Sequence, residues 1–342
     1  MNTPTVRQDV AVVIGRWHLV HKGHETLFKA ALAAGEKVVI VIGSAFRARD
    51  PRNPFTWQER AKMIEATLSP EERKRVVFLP VRDYYNNARW TTAVRQGLEK
   101  VVDRPDRAVL IGFKKDWTSE YLNHMGWQLQ VVTREHEVDA TDMRRVYFES
   151  KNMAAAMSVL EPYVSQGVRD YLQAWSSLGE YKTRAAEHAA IVGYREKYNA
   201  DSYNTADALV QIGDYVLLVK RASIFGRGLW ALPGGFVNKN ERFLTAAMRE
   251  LNEETQFPIP EFTLLATLQG SALFDDPLRS PRARLITNAF HFRFGEMAEL
   301  PEVRGTDDAK EAKWFHINEL AAMEPLLFED HFMILDHFLH IL

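Results

Sequence analysis

The 342-residue chain contains no cysteine, which excludes disulfides, thiolate catalysis and zinc sites built on Cys. That absence fits a reducing compartment. Charge of one sign is also lacking: 43 Lys and Arg face 45 Asp and Glu, a formal net charge of -2. A chain so balanced carries no electrostatic footprint for duplex nucleic acid or an anionic membrane, so phosphate binding has to come from a few placed groups. Long apolar runs are missing too. The longest, such as Val38–Ile42, are strand-sized and far short of a bilayer span. The opening residues, MNTPTVRQDV, lack the basic patch and apolar run of a signal peptide. These absences point to a cytoplasmic protein without nucleic-acid or membrane partners and leave a homo-oligomer open.

What is present is an ordinary globular composition, 46% hydrophobic and 26% charged, in a chain long enough for about two domains. Residues 10–14 form an apolar run that breaks at Gly15, residues 24–34 show helical spacing, and Lys37–Ile42 returns to a strand. Further strands are predicted at Arg75–Val81, Ala108–Phe113 and Gln128–Thr133, with helices at Thr56–Thr67 and Trp90–Val101 between them. This alternation predicts a doubly wound, Rossmann-like α/β domain. Met153 to about Ala190 has a helical pattern. After Tyr198 the pattern changes to strands around a Gly-Asp turn at 213–214, a Gly/Pro-rich loop, a helix at 242–255 and a terminal helix near Glu329–Ile341. The expected division is therefore 1–190 and 191–342.

The first chemical signal is GRWHLVHKGH, Gly15 to His24, at the C-terminal end of the first strand, where open α/β sheets bind ligands. His21 and His24 flank a predicted helix start, and Gly23 lets backbone approach a ligand closely. Two imidazoles with the amides and positive dipole end of a helix suit a triphosphate. The alternative, two surface histidines that happen to begin a helix, does not account for the Gly-ended strand before them.

This loop is followed by GSA at 43–45, NPFT at 53–56 with Glu59 and Arg60, the stretch Asp83…Asn87…Trp90, and TDMRR at 141–145. In that order the motifs resemble the nucleotidyltransferase superfamily, and within it the archaeal-type nicotinamide-mononucleotide adenylyltransferases. Departures are His18-Leu19-Val20, where the family has Gln-Pro-Phe or similar, and a late T-x-x-R motif filled by Asp142 and Met143. The resemblance implies transfer of AMP from ATP to nicotinamide mononucleotide, giving NAD and pyrophosphate. It assigns His21 and His24 to the ATP phosphates and Arg16, Arg52 and Arg144 to phosphate charge, and places Gly15, Trp17 and Gly23 in the site that binds ATP and nicotinamide mononucleotide. Trp90 would stack on the nicotinamide, a cation over an indole face, with Asp83 and Asn87 near its carboxamide. A core aromatic is the rival role for Trp90. The acceptor phosphate is already anionic, so positioning and cations suffice, with Mg²⁺ carried by the ATP.

The second signal is GFVNKNERFLTAAMRELNEETQF from Gly235. Five residues separate Gly235 from Glu241, seven separate Glu241 from Arg249, and Glu250, Glu253 and Glu254 follow. At i, i+3 and i+4 the three carboxylates share a helix face and repel unless a cation neutralises them. All-oxygen ligands favour Mg²⁺ or Mn²⁺ over zinc. A solvated acidic helix face would not require the spaced Gly235 and Glu241. The pattern resembles the Nudix box and implies an α/β/α Nudix pyrophosphatase domain, with Glu250, Glu253 and Glu254 as metal ligands and Glu253 also as candidate base. The box's last glycine is Gln256 here, at a left-handed position where Gln costs ~1 kcal/mol. The loop 274–284, FDDPLRSPRAR, resembles a segment of Nudix domains that bind ADP-ribose. It nominates Asp276, Arg279 and Arg282, with Trp230 or Phe274 against adenine; a solvated charged loop is the plain alternative. The domain order resembles bacterial bifunctional nicotinamide-mononucleotide adenylyltransferase/ADP-ribose pyrophosphatases, which implies ADP-ribose cleavage to AMP and ribose 5-phosphate. Another acceptor for the first domain stays open, as does a non-hydrolytic sensor of NAD metabolites or a hydrolase of another nucleotide for the second.

Overall fold

A computed structural model describes residues 8–113, 125–133, 139–197 and 202–342. Most of the opening segment, residues 1–7, and the change of pattern at 198–201 lie outside the described residues. The chain divides into two compact units, Met1–Phe46 with Arg52–His188, and Arg47–Pro51 with Ala189–Leu342. No helix among the described residues is long and apolar enough to cross a membrane.

The first unit runs β1 (Gln8–Gly15), α1 (Lys22–Ala34), β2 (Gly35–Ile42), α2 (Trp57–Glu65), α3 (Pro70–Arg73), β3 (Val76–Pro80), α4 (Asn87–Glu99), β4 (Ala108–Gly112) and β5 (Gln128–Val131). Its five strands are all parallel in the order β3-β2-β1-β4-β5. The order reverses between β1 and β4, so the loop after β1 opens at a topological switch point. Both faces are buried, which is why these strands are nearly continuous apolar runs. Ala11, Val13, Ile40 and Ile111 point to one core, and Val10, Val12, Val39 and Leu110 to the other. Next come α5 (Ala140–Glu149), α6 (Met153–Leu160), α7 (Gln166–Trp175) and α8 (Gly179–Lys197). Leu160, Val168, Leu172 and Trp175 join the core of the parallel sheet, so the helical stretch after residue 153 is part of this unit and not a spacer. The unit boundary falls inside α8, after His188.

The second unit contains β6 (Tyr203–Ile212), β7 (Tyr215–Arg221), β8 (Trp230–Ala231), β9 (Gly234–Phe236), α9 (Phe243–Thr255), α10 (Glu261–Ala266), β10 (Leu268–Phe274), β11 (Leu285–Phe294), β12 (Ala309–His316), α11 (Ile317–Met323) and α12 (His331–Leu339). Its mixed sheet has the order β10-β11-β6-β7-β12, with β6 and β11 parallel, β8 on β7 and β9 on β6. Ala246, Ala247 and Leu251 of α9 pack with Ala208 and Val210 on one face, while Leu320, Ile334 and Leu335 of α11 and α12 pack with Leu209 on the other. This is the expected helix–sheet–helix layering.

Candidate active sites

In the first unit, His21 is the N-cap of α1: its Nδ1 accepts from the Gly23 amide at 3.1 Å. An accepting Nδ1 places the proton of a neutral ring on Nε2. Gly23 suits this position because a Cβ there would lie a tight 3.0 Å from the His21 ring. The His21 and His24 rings stack with centroids 3.7 Å apart, so the loop brings both histidines together at the helix start. Trp17 is buried beneath them. It meets His24 edge-on at 5.0 Å and donates its indole N–H to the Val41 carbonyl at 2.9 Å. Gly15 leaves room for that ring, since a Cβ would sit 2.7 Å from it. The His18–Leu19 bond in this departing segment is cis.

Arg144, buried on α5, donates to the His18 carbonyl and to Thr141 Oγ1 at 3.1 Å, so TDMRR reaches the histidine loop despite its altered middle. Arg16 is exposed and Arg52 half-buried. On the β3 side, Ser44 Oγ donates to Asp83 Oδ1 at 3.0 Å. Asn86 caps α4 by accepting from the Arg89 amide at 2.9 Å, which leaves Asn87 exposed in the first turn and Trp90 half-buried one turn on, against the second core. Arg60 carried no role in the sequence reading. It is only 1% exposed, and its guanidinium donates to the carbonyls of Arg16 (2.6 Å), Gly43 (2.7 Å), Ser44 (3.1 Å) and Thr56 (3.3 Å). Burial lowers it to about 9; Asp83 opposes that shift and Arg16 adds to it. Its neighbour Glu59 forms a capping box with Thr56, the two exchanging backbone bonds at the start of α2.

In the second unit, Arg249 joins the Nudix-like segment together. It bonds Glu241 at 2.8 and 3.0 Å, Glu250 at 2.8 Å, Glu253 at 2.9 Å and the Phe236 carbonyl at 3.1 Å. The bonds from Arg249 to Glu241, with the Asn238 amide, hold Glu241 down at about 2. Glu254 is buried and accepts from the Gly234 amide at 3.0 Å, fastening α9 to β9. Gly235 lets Glu250 lie close beside it, since a Cβ there would sit 2.5 Å from Glu250 Oε1 and would displace that carboxylate. Gln256 ends α9 at φ 49°, ψ 38°, the left-handed turn expected for the missing glycine.

Glu250, Glu253 and Glu254 do share one face. Among the described residues, though, no three such groups are gathered closely enough to hold a metal ion. Arg249 bridges Glu250 and Glu253 instead. The donor set still fits a hard divalent cation. Burial, aided by the Glu250 charge, pushes Glu254 up to about 8, and a cation on this all-oxygen face would relieve both.

Four of the residues nominated for ADP-ribose stand in these surroundings. Trp230 is almost buried, edge-on to Phe315 at 4.7 Å, with the Lys220 ammonium 5.1 Å from its ring. Asp276 accepts from the Leu278 amide at 2.7 Å and shapes the turn. Arg279 pairs with Asp330 through two bonds, 2.9 and 2.8 Å, both side chains being buried. Arg282 pairs with Glu329 through two bonds of 3.0 Å, and Ser280 donates to the same carboxylate at 2.6 Å. Asp207, buried, accepts from Thr287 at 2.5 Å. Burial raises it to about 6 against the pull of Arg279.

Comparison with known proteins follows the same division. A cytidylyltransferase-like family model matches residues 12–146, and a NUDIX domain model matches residues 203–338. The nicotinamide/nicotinic acid mononucleotide adenylyltransferase of Acinetobacter baylyi is 30% identical over 53% of this chain and 94% of its own length. The ADP-ribose pyrophosphatase of Methanocaldococcus jannaschii is 34% identical over 39% of this chain and 70% of its own. The crystal structure of a bifunctional NMN adenylyltransferase/ADP ribose pyrophosphatase from Francisella tularensis matches 97% of this chain and 99% of that one, with a TM-score of 0.87 and 29% identity. A second structure from the same organism, complexed with AMP and Mn ion, matches with a TM-score of 0.86 and 28% identity.

Proposed function

Because the chain belongs to the mononucleotide adenylyltransferases through its first unit and to the Nudix ADP-ribose pyrophosphatases through its second, we propose a bifunctional enzyme of NAD metabolism. The first unit transfers AMP from ATP to nicotinamide mononucleotide. The acceptor phosphate oxygen attacks the α-phosphorus, the bond to the bridging oxygen breaks, and pyrophosphate leaves. His21 and His24, stacked at the start of α1, face the phosphates with the helix amides behind them. Arg16, Arg52 and Arg144 offset the developing charge. Asp83, Asn87 and Trp90 receive the acceptor ring. The observation that carries this reading is the stacked histidine pair on a capped helix at the switch point of a parallel sheet.

The second unit hydrolyses ADP-ribose to AMP and ribose 5-phosphate. Glu250, Glu253 and Glu254 would hold Mg²⁺ or Mn²⁺, which when bound supplies charge neutralisation and an acidified water. Arg249 keeps the carboxylates on one side of α9. Glu253, the most exposed of the three, takes the proton. Trp230 supports the adenine side. Arg279 and Arg282 shape the subsite by fixing the loop from Asp276 onward, since each already spends its fork on a carboxylate.

Pure protein incubated with ATP, nicotinamide mononucleotide and Mg²⁺, and separately with ADP-ribose, tests both halves by product chromatography. NAD is expected in the first reaction, and AMP with ribose 5-phosphate in the second, with both lost in EDTA. Absence of NAD refutes the first assignment. Intact ADP-ribose refutes the second and favours a sensor or a hydrolase of another nucleotide.

A further inference from the structure

Arg60 is a buried cation whose partners are all backbone carbonyls. No carboxylate stands at ion-pair distance among the described residues. Such a charge costs stability unless it is fully hydrogen-bonded, and an apolar side chain of similar volume would fill the space more cheaply. What the guanidinium does here that an apolar group cannot is tie three separate segments at one point. The Arg16 carbonyl follows the end of β1, Gly43 and Ser44 follow the end of β2, and Thr56 caps α2. Both strand ends border the switch-point site. One of the tied residues, Arg16, carries an exposed cation. Another, Ser44, donates its hydroxyl to Asp83.

The anchor is itself braced. Glu59 accepts from the Thr56 amide with one oxygen at 2.8 Å and from the Trp175 indole with the other at 2.8 Å, so α7 steadies the turn from which Arg60 projects. From these contacts we infer that Arg60 is a positioning residue for adenylyl transfer. By gripping the carbonyls of Arg16, Gly43 and Ser44, it sets Arg16 on the phosphate side and the Ser44–Asp83 pair on the acceptor side of one site. The inference rests on the adenylyltransferase reading of this unit.

A guanidinium reaches three carbonyl directions with a rigid fork, and an ammonium does not. Arg60→Lys in the full-length protein therefore keeps the charge and loses the geometry. It should lower kcat/KM for nicotinamide mononucleotide by roughly 10²-fold, the cost of a small misplacement of reacting groups. Ser44→Ala should raise the KM for nicotinamide mononucleotide about tenfold in the parent and have little further effect in the Arg60→Lys background, because both act through Asp83. Circular dichroism and a thermal melt of the same preparations, unchanged in both transitions, report that each unit is folded. Should Arg60→Lys fold poorly, Arg60→Gln, which retains an amide donor, is measured the same way. Wild-type catalysis in a folded Arg60 variant overturns the inference, as does full additivity with Ser44→Ala. A parent protein that makes no NAD overturns the adenylyltransferase reading instead.

Discussion

Arg279→Leu should destabilise the second unit by about 3–5 kcal/mol, the cost of leaving a buried partner charge unpaired. Arg279 and Asp330 face each other through two bonds, with 3% and 0% of their side chains exposed. The change leaves Asp330 where burial already raises its carboxyl, and it removes the guanidinium that draws Asp207 down. At about 2–4 °C per kcal/mol for a unit of this size, the midpoint should fall by roughly 10 °C. Removing both charges, Arg279→Leu with Asp330→Leu, should restore most of that loss, because a whole buried pair exchanges for apolar packing at little net cost. Two units in one chain do not unfold as a single transition. The second is therefore followed by residual ADP-ribose hydrolysis after graded heating, beside near-UV circular dichroism. A single change costing under about 1 kcal/mol, as exposed pairs do, would refute the reasoning. A double variant that melts as the parent yet cannot cleave ADP-ribose would show that the pair also serves the subsite.

His24→Ala should reduce NAD formation by roughly 10²–10³-fold, the loss typical of one oriented donor, while ADP-ribose cleavage is retained; equal loss of both activities would point to misfolding. Trp90→Ala should raise the KM for nicotinamide mononucleotide by about 2- to 30-fold and Trp90→Phe by less, whereas a core role would lower the melting point and leave KM alone. Acid lability should centre on Glu329. Burial would raise this carboxyl, but the charge of Arg282, then that of Arg279 and the Ser280 hydroxyl, hold it at about 2. A carboxyl depressed on folding stabilises above its unfolded pKa of about 4.3 and loses that contribution as pH falls through about 2. Asp207, raised to about 6, has the opposite sign: its contribution is present below the unfolded value of about 3.9 and is lost as pH rises through about 6. Glu329→Gln should therefore flatten the fall in second-unit stability between about pH 4 and 2 in thermal melts, and an unchanged profile would place the sensitivity elsewhere.

Both chemical loops were legible because each is a contiguous pattern. The stacking of His21 on His24 follows from H-x-G-H at a helix start, and the left-handed turn at Gln256 follows from the glycine it replaces. What stayed hidden depends on partners far along the chain. An Arg-rich loop at 279–284 suggests anion binding until its counter-charges appear 51 and 47 residues later, at Asp330 and Glu329. Arg60 gave no sign of its reach because its acceptors are carbonyls, which every residue has; only the fold says that those of Arg16 and Ser44 meet beside it. The acidic face of α9 was readable in its spacing, but the bond of Arg249 to both Glu250 and Glu253 was not.

The strand order of the first unit also bears on how the site comes into being. β1 is made early, yet it lies in the middle of the sheet, bonded on one side to β2 and on the other to β4. Parallel neighbours have to be brought in from a distance, and the edge of β1 that faces β4 stays bare until Ala108–Gly112 has emerged from the ribosome. The His21 loop thus precedes in synthesis the strand that completes the sheet beneath it. Substitutions that slow the arrival of β4 should appear as poor yield of soluble protein even where the finished site is intact.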